Sequence, residues 1–346
     1  MSQYLSYAIQ LAQMVEGQTG INPPVGAVVV KDGRIIGLGA HLKQGDKHAE
    51  VQALDMAQSS AKGATIYISL EPCTHYGSTP PCVNKIIDCG IAKVVYAVKD
   101  TTLPSEGDEI LMQAGIEVEH HPIPEAEAMY EDFFQAKRQS IPQVTVKVSC
   151  SLDGKQATDE GQSQWITNQA VKQDVFQLRH QHDAVLTGRG TIEADNPQYT
   201  TRFENGKDPI RVILSRSGEI DFELDMFKQS QPIWIYTENE QLTTDLGHVT
   251  VIHLETCQVE TILKDLYERG IGRLLVEAGP RVTSEFLHHH SFNELILYYA
   301  PKLIGGSGQH QFYQTTDVLN LSNIPELEIV DTTLLEQNIK LQLRKK

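Results

Sequence analysis

The spacing of apolar residues along the first 140 positions alternates between two patterns. Apolar side chains recur every three to four residues over 2–16, which predicts an amphipathic helix, whereas 65–70 is a short, mainly apolar run typical of a buried strand. By the same criteria, helices are predicted at 48–58, 80–90, 106–114 and 124–138, and strands at 25–30, 35–40, 94–98 and 116–119. Because helices and strands alternate, the pattern predicts an α/β layered domain.

A proline-containing segment, Ser140-Ile141-Pro142, interrupts this pattern before a new apolar strand predicted at 144–149. We therefore predict two domains, residues 1–141 and 142–346. The second domain alternates as the first does, which favours a second α/β fold. Its strands are predicted at 183–187, 210–214, 232–236, 249–253, 273–276 and 294–299, its helices at 168–181, 258–268 and 280–289, and two closing strands on either side of Asp331-Thr332 within 325–344.

The composition limits the classes of partner. The chain has 346 residues, of which 40% are hydrophobic, so two globular domains with ordinary cores are expected. Its 29 basic and 45 acidic residues give a charge of 29 − 45 = −16, which argues against nucleic acid, since binding a polyanion needs a basic surface. No apolar run reaches the roughly 18–20 residues of a membrane span, so no membrane contact is expected. Five sparse cysteines predict reduced thiols and a cytoplasmic protein.

His48, Cys73 and Cys82 form the first candidate site. His48 opens a predicted helix, Cys73 follows the strand at 65–70, and Cys82 lies near the start of the next helix. One imidazole and two thiolates are good zinc ligands, and three protein ligands leave a position for a water molecule, whose pKa zinc lowers towards about 7. Glu50 can then move the proton of that water to a leaving amine. His-x-Glu followed by Pro-Cys is typical of zinc-dependent nucleobase deaminases.

Two other interpretations of these residues stay open on the sequence alone. Eight residues separate the two cysteines, where the nucleobase deaminases have two, so the spacing does not place both at one helix start. The zinc could be structural, with His75 or Cys89 as a fourth ligand. Alternatively, His48 is an ordinary helix-start residue and the cysteines are small core side chains.

The second domain carries weaker signals. It has no Gly-x-Gly-x-x-Gly after a strand and no phosphate-binding P-loop. Two glycine turns, Gly188-Arg189-Gly190-Thr191 and Gly279-Pro280, each lie between a predicted strand and a predicted helix, where backbone N–H groups can approach an anion. A tight strand-to-helix turn is the commoner reason for such glycines.

The motifs of the first domain resemble those of a known family. Residues 22–29 (Asn-Pro-Pro-Val-Gly-Ala-Val-Val), 48–50, 70–77 (Leu-Glu-Pro-Cys-Thr-His-Tyr-Gly) and 79–82, together with His41, are similar to the deaminase half of the bifunctional riboflavin-biosynthesis deaminase/reductases. The resemblance implies a three-layer, cytidine-deaminase-like domain that removes ammonia from 2,5-diamino-6-ribosylamino-4(3H)-pyrimidinone 5′-phosphate. It implies one zinc ion held by His48, Cys73 and Cys82, Glu50 as the proton shuttle, and a substrate pocket lined by Asn22, His41, His75 and Asp100.

The chain departs from the family pattern at two places. Ser78 stands where the family usually has a lysine, a partner for the substrate phosphate, and the segment after Asp100 reads Thr-Thr-Leu-Pro-Ser instead of Pro-Asn-Pro and a glycine-rich turn. We therefore predict a weaker substrate affinity in this deaminase, and the alternative is the same fold with an impaired or altered deaminase site.

The second domain resembles the reductase half of the same family through residues 147–155, 163–167, 191–197, 276–280 and 300–306. The resemblance implies a dihydrofolate-reductase-like fold, reduction of the ribosyl group to a ribityl group by NADPH, and a homo-oligomer formed through this domain. It implies NADPH contacts by Ser149, Trp165, Thr191, Asp195, Ser215 and Gly279, and substrate contacts by Ser163, Tyr199, Arg202 and Glu277.

Arg179 and Arg202 are the predicted partners of the substrate phosphate, because a guanidinium group matches phosphate geometry. The alternative for each is a surface ion pair in an acidic protein. For the whole chain, two rival hypotheses remain. One is a deaminase of another base, free or in tRNA, with an unrelated second domain. The other is a non-enzymatic module in which zinc stabilises the fold.

Overall fold

The computed structural model describes residues 3–77, 80–102, 106–204, 206–316, 324 and 326–346. The chain divides into two compact units between Ser140 and Ile141, one residue before the predicted boundary. Ser140 takes a left-handed conformation (φ 54°) at the end of the last helix of the first unit. Pro142 follows shortly after, and a proline disfavours helical backbone in the residue before it. The helix therefore ends where the second unit begins.

The first unit is built on one five-stranded sheet of order β2-β1-β3-β4-β5, in which β1 runs antiparallel to β2 and β3, and β3, β4 and β5 are parallel. Its strands are β1 (Gly26–Lys31), β2 (Arg34–Ala40), β3 (Thr65–Leu70), β4 (Lys93–Val98) and β5 (Glu117–His120). Its helices are α1 (Gln3–Met14), α2 (Ala49–Ala57), α3 (Cys82–Asp88), α4 (Gly107–Gln113) and α5 (Pro124–Gln139). The predicted elements of this half agree with these bounds to within two residues.

Helices cover both faces of this sheet, which gives the unit three layers. A Cβ on Gly26 would lie 2.1 Å from the carbonyl oxygen of Ala8, so β1 and α1 are in close contact. Gly39 pairs with Ala27, and consecutive residues of a strand face opposite sides of the sheet. Gly39 and Gly26 therefore lie on opposite faces. A Cβ on Gly39 would lie 2.0 Å from the carbonyl oxygen of Ala49, so α2 packs on that second face. Glycine is needed at both places because backbone meets backbone there.

The second unit is built on a nine-stranded sheet of order β10-β9-β8-β7-β11-β6-β12-β14-β13. Its strands are β6 (Gln143–Ser151), β7 (Ala184–Gly188), β8 (Ile210–Leu214), β9 (Ile233–Thr237), β10 (Val249–His253), β11 (Arg273–Val276), β12 (Glu294–Ala300), β13 (Leu327–Leu335) and β14 (Asn338–Lys345). Its helices are α6 (Gln169–His180), α7 (Arg189–Asp195), α8 (Val259–Glu268) and α9 (Pro280–His288).

The strands from β10 to β12 are all parallel, and β14 and β13 add an antiparallel hairpin at one edge. Two separate apolar cores lie on this sheet, one with α8 and α9 and the other with α6 and α7. The unit is therefore an α/β fold with helices on both faces. In such sheets, ligands bind in the crevice at the carboxyl ends of the parallel strands.

The predicted turn between the last two strands is wrong. Asp331-Thr332 lies within β13, next to a register irregularity between Ile329 and Asp331. The chain turns instead at Glu336, which has a φ of 54°, and Leu335 pairs with Asn338. A two-residue hairpin loop requires a positive φ at its first central residue, and the sequence gives no clear sign of this when that residue is a glutamate.

None of the helices in the described parts of the chain has both the length and the apolarity that a membrane span requires. Four of the positions that depart from the family pattern, Ser78 and residues 103–105, lie outside the described residues.

Candidate active sites

His48, Cys73 and Cys82 come together in the first unit. The two sulfur atoms lie 3.5 and 3.3 Å from His48 Nδ1, and the ligand atoms all lie within 4.8 Å of one another. A tetrahedral zinc ion with Zn–N near 2.05 Å and Zn–S near 2.3 Å places the nitrogen about 3.6 Å from each sulfur. The donor set and its spacing therefore fit zinc bound through His48 Nδ1.

Three element boundaries position these ligands. His48 precedes α2 with an extended backbone, Cys73 follows β3, and Cys82 is the first residue of α3. The backbone N–H of Cys82 donates to Cys73 Sγ at 3.3 Å. A backbone donor at a helix start favours a thiolate, so α3 supports Cys73 as a metal ligand. The eight-residue insertion thus leaves both sulfur atoms at one site.

Neither of the possible fourth ligands joins this group. Among the described residues, the cluster of metal-ligand atoms contains His48, Cys73 and Cys82 alone. The side chain of His75 is exposed, and Cys89 caps the C-terminus of α3. Three protein ligands leave a coordination position open, as catalytic zinc sites do.

Glu50 lies in the first turn of α2, two residues from the histidine ligand. Its side chain is 3% exposed, and its Oε2 atom has no hydrogen-bond partner among the described residues. Burial raises the pKa of the Glu50 carboxyl to about 7. A carboxyl group with such a pKa can both accept and return a proton near neutral pH, which is what a proton shuttle requires.

Two predicted pocket residues, Asn22 and His41, lie beside the metal ligands. The ring centres of His41 and His48 are 5.2 Å apart, and Asn22 Nδ2 lies 3.3 Å from His41 Nε2. Burial lowers the pKa of His41, so its imidazole is neutral at pH 7. The Asn22 amide and the His41 ring therefore form one polar wall next to the metal group.

The other two predicted pocket residues occupy the segments that follow β3 and β4. His75 is exposed in the segment between the two cysteines. Asp100 follows β4, and its Oδ1 accepts a hydrogen bond from the Thr102 N–H at 2.8 Å. Because β3 and β4 are parallel neighbours, both segments leave the sheet at the same edge. Their contacts with substrate stay a prediction.

A cavity of about 1110 Å³ lies in the second unit. It lies at the carboxyl ends of the parallel strands β6, β7, β8 and β11, and its size exceeds the roughly 300–1,000 Å³ of common small-molecule sites. Every residue predicted to contact NADPH or the reductase substrate lines it: Ser149, Ser163, Trp165, Arg179, Thr191, Asp195, Tyr199, Arg202, Ser215, Glu277 and Gly279.

The two glycine turns lie side by side at this cavity, because they follow the neighbouring parallel strands β7 and β11. The Gly279 N–H donates to Thr191 Oγ1 at 2.9 Å, and a Cβ at position 279 would lie 3.2 Å from the same oxygen. A side chain there would push the two turns apart. The start of α9 at Pro280 presents backbone N–H groups, which suit a phosphate group of a dinucleotide.

Two further predicted residues are tied into the cavity wall. Ser163 Oγ donates to Asp195 Oδ1 at 2.5 Å, which links a predicted substrate residue to a predicted cofactor residue. The Trp165 ring is 68% exposed and lies 4.3 Å from Lys172 Nζ. A large exposed aromatic ring at a cavity mouth can stack on a ligand ring.

The guanidinium group of Arg179 forms an ion pair with the Glu277 carboxylate. Its Nε and Nη2 atoms donate to the two Glu277 carboxylate oxygens at 2.7 and 2.9 Å, and Nη1 donates to the Thr200 carbonyl at 3.1 Å. Burial alone would raise the pKa of Glu277, but Arg179 lowers it, so the pair is ionised. Arg179 lines the cavity, and its contact with the substrate phosphate stays a prediction. The alternative of a surface ion pair is wrong, because this pair is buried.

Arg202 and Tyr199 have different environments. Arg202 is exposed at the cavity, with its guanidinium carbon 5.3 Å from the Phe176 ring centre, so it remains the predicted phosphate partner. The Tyr199 hydroxyl lies 2.8 Å from Thr187 Oγ1 and 3.1 Å from the Glu277 carbonyl oxygen. The ring of Tyr199, rather than its hydroxyl, is therefore the part that can face substrate.

Lys147 is a cavity residue to which the sequence assigned no role. Its Nζ lies 3.8 Å from Glu277 Oε2, and burial lowers the pKa of its ammonium group. The signal was present in the sequence, because β6 is a central parallel strand in which Lys147 stands between Val146 and Val148. Central parallel strands are mostly apolar, so a lysine within one indicates a functional position.

Comparisons with known proteins agree with both sites. A family described as the cytidine and deoxycytidylate deaminase zinc-binding region matches residues 1–98, and the RibD C-terminal domain matches residues 142–341. The second match excludes an unrelated appended domain. These matches also confirm the predicted fold class of a cytidine-deaminase-like domain followed by a reductase domain of α/β type, while the likeness to dihydrofolate reductase stays a prediction.

Relatives match over nearly the whole chain. The riboflavin biosynthesis protein RibD of Bacillus amyloliquefaciens is 40% identical over 351 residues, which cover 98% of this chain and 94% of that protein. The RibD protein of Escherichia coli (strain K12) is 35% identical over 345 residues, which cover 94% of this chain and 91% of that protein.

Solved structures give the same result. RibD from Acinetobacter baumannii superimposes with a TM-score of 0.88 at 35% identity and covers 99% of this chain and 98% of its own. A diaminohydroxyphosphoribosylaminopyrimidine deaminase/5-amino-6-(5-phosphoribosylamino)uracil reductase from Thermotoga maritima gives a TM-score of 0.87 at 36% identity with the same coverage. With its zinc-ligand group in one unit and its lined cavity in the other, this chain belongs to the RibD family of riboflavin biosynthesis proteins.

Proposed function

We propose that this chain catalyses two consecutive reactions of riboflavin biosynthesis on a small phosphorylated pyrimidine. The first unit removes an amino group by hydrolysis, and the second reduces the ribosyl group with NADPH. Both activities are those named for the Thermotoga maritima relative. The observation that carries the proposal is the buried Glu50 carboxyl beside an open group of zinc ligands.

In the deaminase unit, His48, Cys73 and Cys82 hold zinc, which when bound lowers the pKa of water and so supplies a nucleophile at neutral pH. Glu50 accepts the proton of the attacking water and gives it to the departing amino group. Water and the C–NH₂ group of the pyrimidine are thereby converted to C=O and ammonia. His75 and Asp100, together with the polar wall of Asn22 and His41, orient the ring, the ribose and the phosphate of 2,5-diamino-6-ribosylamino-4(3H)-pyrimidinone 5′-phosphate.

In the reductase unit, NADPH supplies the hydride, and the protein supplies binding and orientation. Thr191 and Gly279 contact the phosphate groups of the cofactor at the paired turns, and Ser149, Trp165, Asp195 and Ser215 contact the rest. Ser163, Tyr199 and Glu277 contact the pyrimidine or the sugar, and Arg202 binds the substrate phosphate.

The reduction needs a proton as well as a hydride. The ribosylamine opens to an imine, the hydride adds to C1′, and the imine nitrogen takes a proton, which gives the ribityl amine. Lys147 is suited to supply that proton, because burial lowers the pKa of its ammonium group and Glu277 holds it at 3.8 Å. Arg179 acts through Glu277 as a positioning residue.

We infer that copies of this chain assemble through the reductase unit. β13 lies at the edge of the nine-stranded sheet, and Ile329, Val330 and Leu334 on it are 59%, 54% and 70% exposed. An edge strand that exposes apolar side chains is a natural place for a second copy to pair. Light scattering should show a larger mass for the wild type than for Leu334→Lys, and an unchanged mass would refute this surface.

None of the five cysteines forms a disulfide, which supports the proposal of a cytoplasmic location for the enzyme.

The decisive experiment incubates the zinc-loaded protein with the diaminopyrimidine phosphate, with and without NADPH, and follows ammonia and NADPH separately. We expect ammonia in both samples and NADPH oxidation after deamination. Oxidation of NADPH on the synthetic deaminated substrate without any ammonia release would instead favour an altered deaminase site, as the Ser78 departure suggests. The absence of both reactions would overturn the proposal.

A further inference from the structure

Glu71 links residues 99–102, which follow β4, to the residues after β3 that carry the zinc ligand Cys73. It lies between β3 and Cys73, and its side chain is 6% exposed. Its backbone N–H donates to the Val98 carbonyl at 2.8 Å, and its Oε2 accepts from the Asp100 N–H at 3.2 Å. The main chain and the side chain of one residue therefore both hold the exit of β4.

The same carboxylate also lies close to the start of α4. A Cβ on Gly107, the first residue of α4, would lie 3.3 Å from Glu71 Oε1 and 3.4 Å from the Pro72 carbonyl oxygen. Glu71 therefore bonds to the main chain at Asp100 and also leaves little room for a side chain at Gly107. Gly107 lacks a side chain where the approach is closest, so the contact depends on glycine there.

Asp100 is fixed from two directions. Glu71 holds its backbone N–H, and its own Oδ1 accepts from the Thr102 N–H at 2.8 Å. Hydrogen bonds to an ionised carboxylate are stronger than those between neutral groups. Glu71 therefore holds the main chain at Asp100, and the local turn holds the Asp100 side chain.

We propose that Glu71 is a positioning residue of the deaminase, which orients Asp100 for substrate binding without touching substrate itself. The inference rests on the proposed function, in which Asp100 contacts the substrate. Glu71 connects the metal part of the site with its proposed substrate part. It precedes the ligand Cys73 by two residues, and it holds the main chain at Asp100. Zinc binding and substrate binding are then aligned by one buried carboxylate.

Glu71→Leu tests the inference, because leucine is a side chain of comparable size that has no hydrogen-bond acceptor. We expect the KM of the deaminase for the diaminopyrimidine phosphate to rise about tenfold, with kcat changed less than twofold and with one zinc per chain retained. Glu71→Gln keeps an oxygen acceptor and should restore most of the affinity. Glu109→Leu, an exposed glutamate on α4, is the matched control and should behave as the wild type.

A double-mutant cycle shows whether Glu71 acts through Asp100. On an Asp100→Ala background, Glu71→Leu should add less than twofold to KM, since coupled residues give non-additive effects. Independent tenfold effects would overturn the inference. The inference would also be overturned if Glu71→Leu raised KM and lowered kcat by equal factors and lost zinc, because Glu71 would then support only the residues that bind the metal.

Hydrogen exchange separates this inference from the proposed function. The Asp100 amide should lose protection in Glu71→Leu whether or not the wild type releases ammonia from this substrate. Unchanged protection at Asp100 would refute the contact, whereas a wild type without ammonia release would refute the proposed function.

Discussion

Arg179 binds both carboxylate oxygens of Glu277 inside the reductase cavity, at 2.7 and 2.9 Å, and Lys147 lies 3.8 Å from the same carboxylate. Two cations therefore share one anion at the carboxyl end of β11, beside the middle of β6. Removing one partner of a buried ion pair costs about 3–5 kcal/mol, and without Arg179 the Glu277 carboxylate keeps only the longer contact with Lys147.

We expect Arg179→Met to lower the free energy of unfolding of the reductase unit by about 3 kcal/mol and to reduce its kcat at least tenfold. Both tryptophans, Trp165 and Trp234, lie in this unit, so fluorescence during urea unfolding reports on it alone. The double variant Arg179→Met/Glu277→Leu should regain most of the stability but no activity. A double variant as unstable as the single one would contradict the assignment of the pair.

Glu50→Gln should reduce ammonia release about 10²–10⁴-fold, because glutamine keeps the shape of the side chain and cannot carry the proton. Zinc content and the reduction of deaminated substrate by NADPH should not change. The control is Glu127→Gln, an exposed glutamate on α5 of the same unit, which should leave both reactions intact. Simultaneous loss of both activities in Glu50→Gln would show that the two sites do not work separately.

Arg202→Gln should raise the reductase KM for the phosphorylated substrate about 10- to 100-fold and leave the KM for NADPH unchanged, because a charged hydrogen bond to phosphate is lost. Steady-state kinetics with the substrate and with its dephosphorylated analogue measures this. Wild type and variant should bind the analogue equally well. If the variant discriminated against the analogue as strongly as the wild type does, another group would have to bind the phosphate.

His182 should make the reductase unit less stable in mild acid. It is buried, its Nδ1 lies 2.6 Å from the Leu178 carbonyl oxygen, and burial lowers the pKa of its imidazole from 6.5 to about 3. Between these two pKa values the unfolded chain binds a proton that the folded unit does not. Stability therefore falls as pH falls below 6.5, by about 1.4 kcal/mol per pH unit from this residue, and is unaffected by it above 6.5.

Urea unfolding followed by tryptophan fluorescence at pH 7.5, 6.5 and 5.5 tests this expectation. His182→Gln removes the titrating group, so its stability should decline less between pH 6.5 and 5.5 than that of the wild type. The same decline in both proteins would assign the pH dependence to other groups.

Much of the fold and of the metal site could be read from local sequence. Periods of 3.6 and 2 residues predicted almost every helix and strand, because burial of one face imposes that spacing on each element separately. The candidate ligands His48, Cys73 and Cys82 were identifiable because each stands next to the start of a helix or after a strand, within a short motif.

The sequence by itself thus predicted the two α/β units from local periodicity, and it identified the candidate zinc ligands through short motifs and the family resemblance that these motifs carry. The tertiary structure alone decided which side chains Arg179, Lys147 and Glu71 meet. Arg179 is separated from Glu277 by 98 positions and Glu71 from Asp100 by 29, and no local pattern records such pairings. A sequence does not distinguish an arginine that is paired with a buried carboxylate from one that is available to bind phosphate. Burial and the partner within reach distinguish them, and both arise only when parallel strands bring their carboxyl ends together.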